Sequence, residues 1–404
     1  MRIFRDTTAN RPRRQARPHT MRAVGMAAVA AAVLTGAACS PDTTPPPSTT
    51  PPSTTPTTAP PTGDGPLRIV EQINGFDRPW ELRFTPGGVP LVTEKGGRIA
   101  TVTQGQRRVV GDVPGVVSNG EGGLMGLAVD PAYATNRRIY VCHTSAVDVR
   151  VVRFTVGAGE TSLTEATPIV TGIPSGAGNR HQGCRVAFGS AGELWVTTGD
   201  AAIPTAPAAR GNLAGKVLRM TAAGAAWPGN PASTEPGAGW HPLVYTRGHR
   251  NVQGLAIRPS DGAVFTVEHG TGCDDEINRL AAGADYGWDP VGPTGGYDES
   301  TPMTRPGATA AVWSSGCPTV APSGATFLDG SHWGGRDGLL AVAMLKQQQL
   351  TLLDVNDSSP GGGRVVERAF ENSRRLRSVE QGPDGSLWIV ADGAGAPLLR
   401  VAAD

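Results

Sequence analysis

Basic side chains recur at matching distances before glycine turns. Arg250 precedes Gly262 by 12 residues, and Arg375 and Arg377 precede Gly385 by 10 and 8 residues. Arg375 and Arg377 are two residues apart, so on a strand their side chains share one face. Guanidinium groups held in one place bind carboxylates or phosphates through paired hydrogen bonds. The spacing therefore predicts a site for a ligand that carries several negative charges.

Lys346 is expected to add a fourth cation to this group. It follows the apolar run Val342-Ala343-Met344-Leu345, and a lysine at the end of such a run favours a rim position over the core. The alternative is that these basic groups pair with local carboxylates on the rim.

His181 lies in the segment Asn179-Arg180-His181-Gln182-Gly183-Cys184-Arg185, 11 residues before Gly192. A neutral imidazole accepts a proton near neutral pH, which is what a general base must do. A structural histidine in a turn is the alternative. If a strand begins at His181, Arg180 points the opposite way and is expected to be a solvated charge.

The densest acidic run is Cys273-Asp274-Asp275-Glu276-Ile277-Asn278, directly after the glycine-rich loop Glu268-His269-Gly270-Thr271-Gly272. Carboxylates beside loop carbonyls provide the hard oxygen ligands that Ca²⁺ prefers. The run does not have the spacing of a helix–loop–helix calcium site, so a solvated acidic turn is the alternative.

A sixfold repeat of strand, turn and strand must position these residues. Four turns contain Gly88, Gly192, Gly262 and Gly385, and diverged copies lie near residues 136 and 335. The mean spacing of about 59 residues predicts an all-β fold, a six-bladed β-propeller with four-stranded antiparallel blades. A β-sandwich pair and a β-helix are the alternatives, and a β-helix needs a much shorter repeat.

The first strand of each propeller blade lines the central channel, and its start opens onto one face. The residues in that position are Trp80, Glu121, His181, Arg250, Pro322-Ser323, and Arg375 with Arg377. A ligand site is expected at this mouth of the channel.

Composition narrows the possible functions. The chain has 36 basic and 35 acidic residues, a net charge of +1, which excludes nucleic acid captured by bulk charge as a partner. Its 55 Gly and 35 Pro suit many short strands. No apolar run of about 20 residues follows residue 40, so no later membrane span is expected.

Residues 1–38 have the form of a signal peptide, with a basic start, a short apolar stretch and small residues before Cys39. The pattern resembles a bacterial lipoprotein signal, which predicts lipid on Cys39 and an extracytoplasmic protein anchored to the cell membrane. A plain secretory signal is the alternative, and translation could start at Met1 or Met21. Residues 39–65, rich in Pro and Thr, are expected to be a disordered linker, and residues 66–404 the propeller domain.

Four further cysteines allow three pairings. Export favours disulfides. We favour Cys273–Cys317, which flank loops at the mouth, and Cys142–Cys184, which lie on strands of successive repeats.

Seven segments between about residues 68 and 400 resemble, in the same order, those of the pyrroloquinoline quinone (PQQ)-dependent aldose sugar dehydrogenases, the soluble glucose dehydrogenase-like propellers. They are Pro79-Trp80-Glu81-Leu82, Gly120-Glu121-Gly122-Gly123-Leu124-Met125-Gly126-Leu127, His181-Gln182-Gly183-Cys184-Arg185, Gly248-His249-Arg250-Asn251-Val252-Gln253-Gly254-Leu255, Asp274-Asp275-Glu276-Ile277-Asn278 with Tyr286-Gly287-Trp288, Pro318-Thr319-Val320-Ala321-Pro322-Ser323-Gly324, and Arg375-Leu376-Arg377.

The resemblance implies oxidation of the C1 hydroxyl of an aldose to a lactone, with His181 as base, hydride transfer to the quinone and an external electron acceptor. His181 and Arg250 would be the catalytic residues. The cofactor-binding residues would be Glu121, His181, Arg250, Asn251, Lys346, Arg375 and Arg377. One Ca²⁺ would sit on the quinone oxygens, held by the carbonyls of Gly270 and Thr271, and a second would use Glu276 and the carbonyl of Tyr286.

Two departures from the glucose enzyme leave the sugar open: Glu121 stands where that enzyme has Gln, and Arg180 where it has Asp. Two other functions remain as alternatives. One is a non-catalytic propeller that binds glycan or protein. The other is a Ca²⁺-dependent lactonase-like hydrolase, which needs several carboxylates on the channel axis, whereas the acidic run lies on one loop. The oligomeric state stays open.

Overall fold

The computed structural model describes residues 63–403, whose strands form six four-stranded sheets with antiparallel neighbours. The predicted signal segment, Cys39 and the linker up to residue 62 lie outside the described residues. The first strand of each sheet contacts the first strands of the two adjacent sheets, so the sheets follow one another around a central channel. The predicted six-bladed β-propeller is confirmed.

The blades follow the chain in groups of four strands. The first three blades contain β2 (Pro79–Phe84), β3 (Pro90–Glu94), β4 (Arg98–Thr103) and β5 (Gln106–Asp112); β6 (Leu124–Val129), β7 (Arg138–Thr144), β8 (Val149–Val156) and β9 (Leu163–Ile173); β10 (Gly183–Phe188), β11 (Leu194–Thr198), β12 (Lys216–Met220) and β13 (Val244–Arg247). The next two contain β14 (Val252–Ile257), β15 (Val264–Glu268), β16 (Glu276–Arg279) and β17 (Trp313–Ser314); β18 (Pro322–Phe327), β19 (Leu340–Met344), β20 (Gln349–Asp354) and β21 (Arg364–Ala369).

The sixth blade joins both ends of the described chain. It contains β22 (Leu376–Gln381), β23 (Leu387–Ala391), β24 (Ala394–Ala403) and, as its outer strand, β1 (Leu67–Asp77). Strands β1 and β24 pair antiparallel, with Leu67 opposite Ala403. The first strand of the domain therefore closes the ring of blades by hydrogen bonding to the last.

Helical segments are short and lie in the connections. They are α1 (Tyr133–Asn136), α2 (Pro231–Thr234) and two 3-10 helices, Ala177–Asn179 and Ser331–Arg336. No helix in residues 63–403 has the length and apolar character needed to cross a membrane.

The predicted glycine turns are the hairpins between the first and second strands of four blades. Gly88, Gly192, Gly262 and Gly385 have φ angles of +77°, +87°, +71° and +81°. A side chain with a Cβ is disfavoured in this left-handed region, which explains why glycine recurs there. The turns therefore set the repeat that the sequence displays.

Apolar layers between neighbouring blades form the core. Between the second and third blades, Met125 and Tyr140 pack in one cluster with Val186 and Leu194, and all four side chains are buried. The first strands also carry buried charged residues, among them Glu81 and Arg185, so the packing of the blades fixes where polar groups lie along the channel.

Candidate active site at the mouth of the channel

His181 lies two residues before β10, in an irregular segment. Its φ angle is +51°, in a region that non-glycine residues seldom occupy. The His181 carbonyl accepts a hydrogen bond from the Ala201 amide at 3.3 Å. It also lies 1.9 Å from where a Cβ on Gly199 would be, so only glycine allows this close approach. The expectation that a strand begins at His181 is wrong, and the segment is instead held against the end of β11.

The His181 imidazole is oriented by Asp200. His181 Nδ1 is 2.8 Å from Asp200 Oδ1, and both side chains are buried. Asp200 Oδ2 accepts hydrogen bonds from Trp288 Nε1 at 2.7 Å and from the Tyr297 hydroxyl at 2.6 Å. Burial, and then the charge of Asp200, raise the pKa of Tyr297 far above its usual value, so the phenol stays protonated. With Nδ1–H donated to Asp200, His181 Nε2 is the ring nitrogen that can accept a proton.

Glu299 faces the free nitrogen of His181. Its Oε1 is 3.9 Å from His181 Nε2 and 2.7 Å from Arg250 Nη2. Arg250 Nη1 also donates to the carbonyl of His269 at 3.2 Å. The predicted base and the predicted cation of the fourth blade thus meet at one carboxylate.

Arg180 also pairs with Glu299, and its guanidinium carbon lies 5.5 Å from the centre of the Tyr297 ring. It is 45% exposed and sits on the same side as His181. Strand alternation, which placed Arg180 on the opposite side, does not apply because β10 begins only at Gly183.

Glu121 joins this group to the rest of the mouth. Its Oε2 accepts hydrogen bonds from the His181 amide at 3.2 Å and from Asn251 Nδ2 at 3.1 Å. Gln253 lies between Asn251 and Arg377, with Gln253 Nε2 3.4 Å from Asn251 Oδ1 and Arg377 Nη1 3.2 Å from Gln253 Oε1. A continuous polar chain therefore connects His181 with Arg377.

Two of the predicted cations lie further out. Arg375 is 50% exposed and pairs with Asp392 at 2.9 Å, while Arg377 lies 3.7 Å from the same carboxylate and is much less exposed. Lys346 is exposed in the turn between β19 and β20, at the mouth end of the fifth blade. The structure thus brings Arg250 and Arg377 into the channel mouth and leaves Arg375 and Lys346 on its rim.

The inner arginines fit an anionic ligand. The Nε atoms of Arg250 and Arg377 are buried and have no hydrogen-bond partner within residues 63–403. Burial lowers the pKa of Arg377, although a guanidinium keeps its charge at neutral pH. Buried donors without partners cost stability, and a ligand carboxylate would satisfy them.

Lys95 is a further cation at this mouth. It follows β3, and its Nζ donates to the carbonyl of Gly120 at 2.7 Å. Burial first, and then the positive charge of Arg377, lower the pKa of Lys95. Lys95, Asp200, Tyr297 and Glu299 are not among the residues predicted from the sequence. Lys95 and Asp200 share a position that the sequence could have indicated: each lies one or two residues after the second strand of its blade.

The loop after β15 is built around Asp275. Its Oδ1 accepts from the Gly270 amide at 2.8 Å, and its Oδ2 accepts from the amides of Val320 and Ala321 at 2.6 and 2.9 Å. A Cβ on Gly270 would lie 2.0 Å from the carbonyl of Cys273, so the loop needs glycine here. Asp275 therefore organises the backbone whose carbonyls at 270 and 271 are the expected Ca²⁺ ligands.

Glu276 belongs to a second group of oxygen atoms. It is buried opposite Glu268 in the pairing of β15 with β16, and it accepts hydrogen bonds from Thr304 at 2.7 Å and Asn278 at 3.2 Å. Asn278 Oδ1 is buried without a partner in the described part of the chain. Burial, and then Glu268, raise the pKa of Glu276 to about 8. A carboxyl group and a free amide oxygen suit a hard cation.

The described residues hold no group of three or more His, Cys, Asp or Glu side chains placed to bind a metal ion. The Ca²⁺ ligands that the resemblance implies are mostly backbone carbonyls, including that of Tyr286, which is buried and stacks on His249 with ring centres 4.9 Å apart.

Two disulfides brace the structure near this face. Cys142–Cys184 joins β7 of the second blade to β10 of the third, and Cys273–Cys317 joins the loop after β15 to the segment after β17. The second bond ties the Gly270 loop to the segment that leads into the fifth blade.

The channel mouth of the propeller holds an imidazole–carboxylate pair next to arginines. This arrangement defines a protein that can bind an anion beside a proton acceptor. The family model described as glucose/sorbosone dehydrogenase matches residues 76–400, and the chain belongs to this family.

Similar proteins agree with this assignment. The chain is 29% identical over 343 residues to the aldose sugar dehydrogenase YliI of Escherichia coli, across 80% of this chain and 90% of the relative. It is 28% identical over 369 residues to the quinoprotein glucose dehydrogenase B of Acinetobacter calcoaceticus, across 77% and 75%. The PQQ-bound structure of aldose sugar dehydrogenase from Streptomyces coelicolor superimposes with a TM-score of 0.68 at 30% identity, across 85% of this chain and 99% of the other.

Proposed function

We propose that this protein is a PQQ- and Ca²⁺-dependent dehydrogenase that oxidises the C1 hydroxyl of an aldose to a lactone. The observation that carries the proposal is the orientation of His181, whose Nδ1 is held by Asp200 while Nε2 faces Arg250 across a single carboxylate oxygen. The similarity to sugar dehydrogenases, one of them solved with PQQ, supports it.

The residues of this chain would divide the work at the site. His181 Nε2 accepts the proton of the C1 hydroxyl, and Asp200 stabilises the imidazolium that forms. Tyr297 and Trp288 keep Asp200 in place by donating to its other oxygen. Asp200 is buried, so water does not compete for the proton on Nδ1.

The cofactor would be held by its charge. Arg250 and Arg377 are the inner cations, Asn251 and Glu121 line the site beside them, and Lys346 and Arg375 would reach in from the rim. When bound, PQQ would supply the hydride acceptor, and Ca²⁺ held by the carbonyls of Gly270 and Thr271 would supply a Lewis acid. Glu276 and the carbonyl of Tyr286 would hold a second, structural Ca²⁺. Electrons would then leave to an external acceptor.

The form of residues 1–38 supports a proposal about the location of the protein. We propose export and lipid attachment at Cys39, with residues 39–65 as the spacer between the membrane and the propeller.

A titration of the apoprotein with PQQ and Ca²⁺, followed by dye-linked oxidation of a panel of aldoses, tests the proposed activity. We expect saturable PQQ binding and sugar oxidation. His181→Ala is expected to lose at least about 10²-fold in turnover while PQQ affinity changes little, because the proton acceptor is removed and the arginines remain. His332→Ala is the matched control, since His332 follows β18 on the opposite face. Absence of PQQ binding by the wild-type protein would overturn the proposal.

A further inference from the structure

Glu299 lies at the mouth between Arg250, Arg180 and His181, without a role in the function proposed above. One of its oxygens, Oε1, contacts Arg250 Nη2 at 2.7 Å, pairs with Arg180, and lies 3.9 Å from His181 Nε2. The side chain is 35% exposed, whereas those of Arg250 and His181 are 7% and 4% exposed. The carboxylate therefore enters from the solvent side and covers the groups that a ligand must reach.

The loop that carries Glu299 is anchored next to it. The hydroxyl of Tyr297, two residues earlier, donates a hydrogen bond to Asp200 Oδ2 at 2.6 Å. Asp298 and Ser300 form an exposed turn, in which the Ser300 amide donates to Asp298 Oδ1 at 2.8 Å. Because the loop is anchored through the Tyr297 hydroxyl, the Glu299 side chain can leave Arg250 without displacing Asp200 or His181.

Two guanidinium groups share Glu299, and they differ in position. Arg250 is buried in the mouth, and Arg180 lies outside it, 45% exposed. A ligand carboxylate that pairs with Arg250 must take the place of Glu299, since two carboxylates on one guanidinium edge repel each other. Arg180 offers Glu299 a second partner outside the ligand's path. An aspartate at position 180, as in the glucose enzyme that the sequence resembles, would repel Glu299 instead.

We propose that Glu299 is a placeholder carboxylate that occupies the anion position at Arg250 before the cofactor binds, and that Arg180 holds Glu299 once the cofactor has displaced it. This inference rests on the proposed function, because it takes an anionic cofactor to be the ligand of Arg250. Glu299 lowers the affinity of the site for that ligand, and Arg180 restores part of it.

Equilibrium titration with PQQ in the presence of Ca²⁺, followed by absorbance, tests the placeholder without measuring turnover. Glu299→Gln removes the competing charge and is expected to lower the Kd for PQQ by up to about fivefold, the upper end of what a partly exposed ion pair contributes. Arg180→Ala leaves Glu299 with Arg250 alone and is expected to raise the Kd several-fold. In the double variant the Arg180 effect should vanish, because Arg180 acts only through Glu299. Asp298→Asn is the matched control: it removes a negative charge one residue away and keeps the oxygen that caps the turn.

The outcomes separate the two proposals. If neither the wild-type protein nor Glu299→Gln binds PQQ, the proposed function fails and the placeholder with it. If the wild-type protein binds PQQ and Glu299→Gln binds it no more tightly than Asp298→Asn does, only the placeholder is overturned. A loss of affinity from Arg180→Ala that persists in the double variant would show that Arg180 attracts the ligand directly, which also contradicts the proposal.

Discussion

Asp200→Asn is the substitution that most directly tests how the site is built. Four donors converge on this carboxylate: His181 Nδ1 and the Ala202 amide on Oδ1, and Trp288 Nε1 and the Tyr297 hydroxyl on Oδ2. An amide offers only one oxygen, so two of the four donors must face an NH₂ group. The side chain keeps its volume, so the change is confined to charge and hydrogen bonding.

Either orientation of the amide damages the site. If the NH₂ group faces Trp288 and Tyr297, the phenol can rotate to accept, but the buried indole N–H is left without a partner, at about 1–3 kcal/mol. If it faces His181 and Ala202, the imidazole becomes the acceptor at Nδ1 and carries its proton on Nε2. The ring then cannot take a proton from a substrate. In both cases the charge that stabilises the imidazolium is lost.

We expect Asp200→Asn to lower kcat by about 10³-fold and the free energy of unfolding by a few kcal/mol. The Kd for PQQ should change little, because Asp200 contacts none of the inner arginines through its side chain. Asp130→Asn provides the control, since Asp130 is a buried aspartate that accepts from the Ala132 amide and the Tyr140 hydroxyl at the other end of its blade. Steady-state kinetics of the PQQ-loaded variants and thermal unfolding of the apoproteins measure the two effects. Asp200→Asn with wild-type turnover, or with no greater loss than Asp130→Asn, would refute the orientation of His181 by Asp200.

Three further changes address stability. Arg185→Met should lower the free energy of unfolding by about 3–5 kcal/mol, because it removes the nearer cation of the buried Glu81 carboxylate, at 2.5 Å, and leaves Arg83 at 3.8 Å. The loss should shrink when Glu81→Gln is added, and equal losses in the single and double variants would contradict this. Burial lowers the pKa of Lys216 to about 7, below its value near 10.4 in the unfolded chain. The unfolded chain therefore binds more protons between pH 7 and 10, so the Tm should rise over this range. Lys216→Met should abolish that rise, and a rise that survives in this variant would show that other groups cause it. Replacing Cys273 and Cys317 by Ser should cost about 4 kcal/mol, the loop-closure estimate for a separation of 44 residues, and an unchanged Tm would exclude a stabilising role for this bond.

The fold was predictable because each repeat contains a turn whose backbone conformation requires a particular residue type. Gly88, Gly192, Gly262 and Gly385 each fill a left-handed position that only glycine occupies easily, so the hairpins recur at a visible period. The closure of the ring by β1 has no such marker. Its pairing with β24 joins residues at opposite ends of the domain.

The candidate site was predictable where it lies on the first strands of the blades or directly before them. Arg250 and Arg377 were identified by their distance from a glycine turn, and the structure places both at the mouth. Tyr297 and Glu299 come from the long connection between β16 and β17, which has no period to count. Asp200 was predictable from its position. The second strand of each blade ends at the mouth, and the residues just after these strands include Lys95, Asp200, His269 and Asp392. Arg180 was misplaced because strand alternation was applied to an irregular segment.

The channel interior and the loops hold different parts of the site. Arg185, buried in the channel, donates through Nε to the carbonyl of Gln253 at 2.6 Å and through Nη2 to the carbonyl of Arg377 at 3.0 Å. It also lies 4.0 Å above the Trp80 ring and pairs with Glu81, so it spans several blades. Arg377, a cation expected to contact the cofactor, is therefore held in place by Arg185 and the first strands that line the channel. His181, by contrast, depends on partners from loops, which tolerate change in length and sequence better than strands do. Within this arrangement we expect loop substitutions to alter which sugar is accepted while the anion-binding end stays the same.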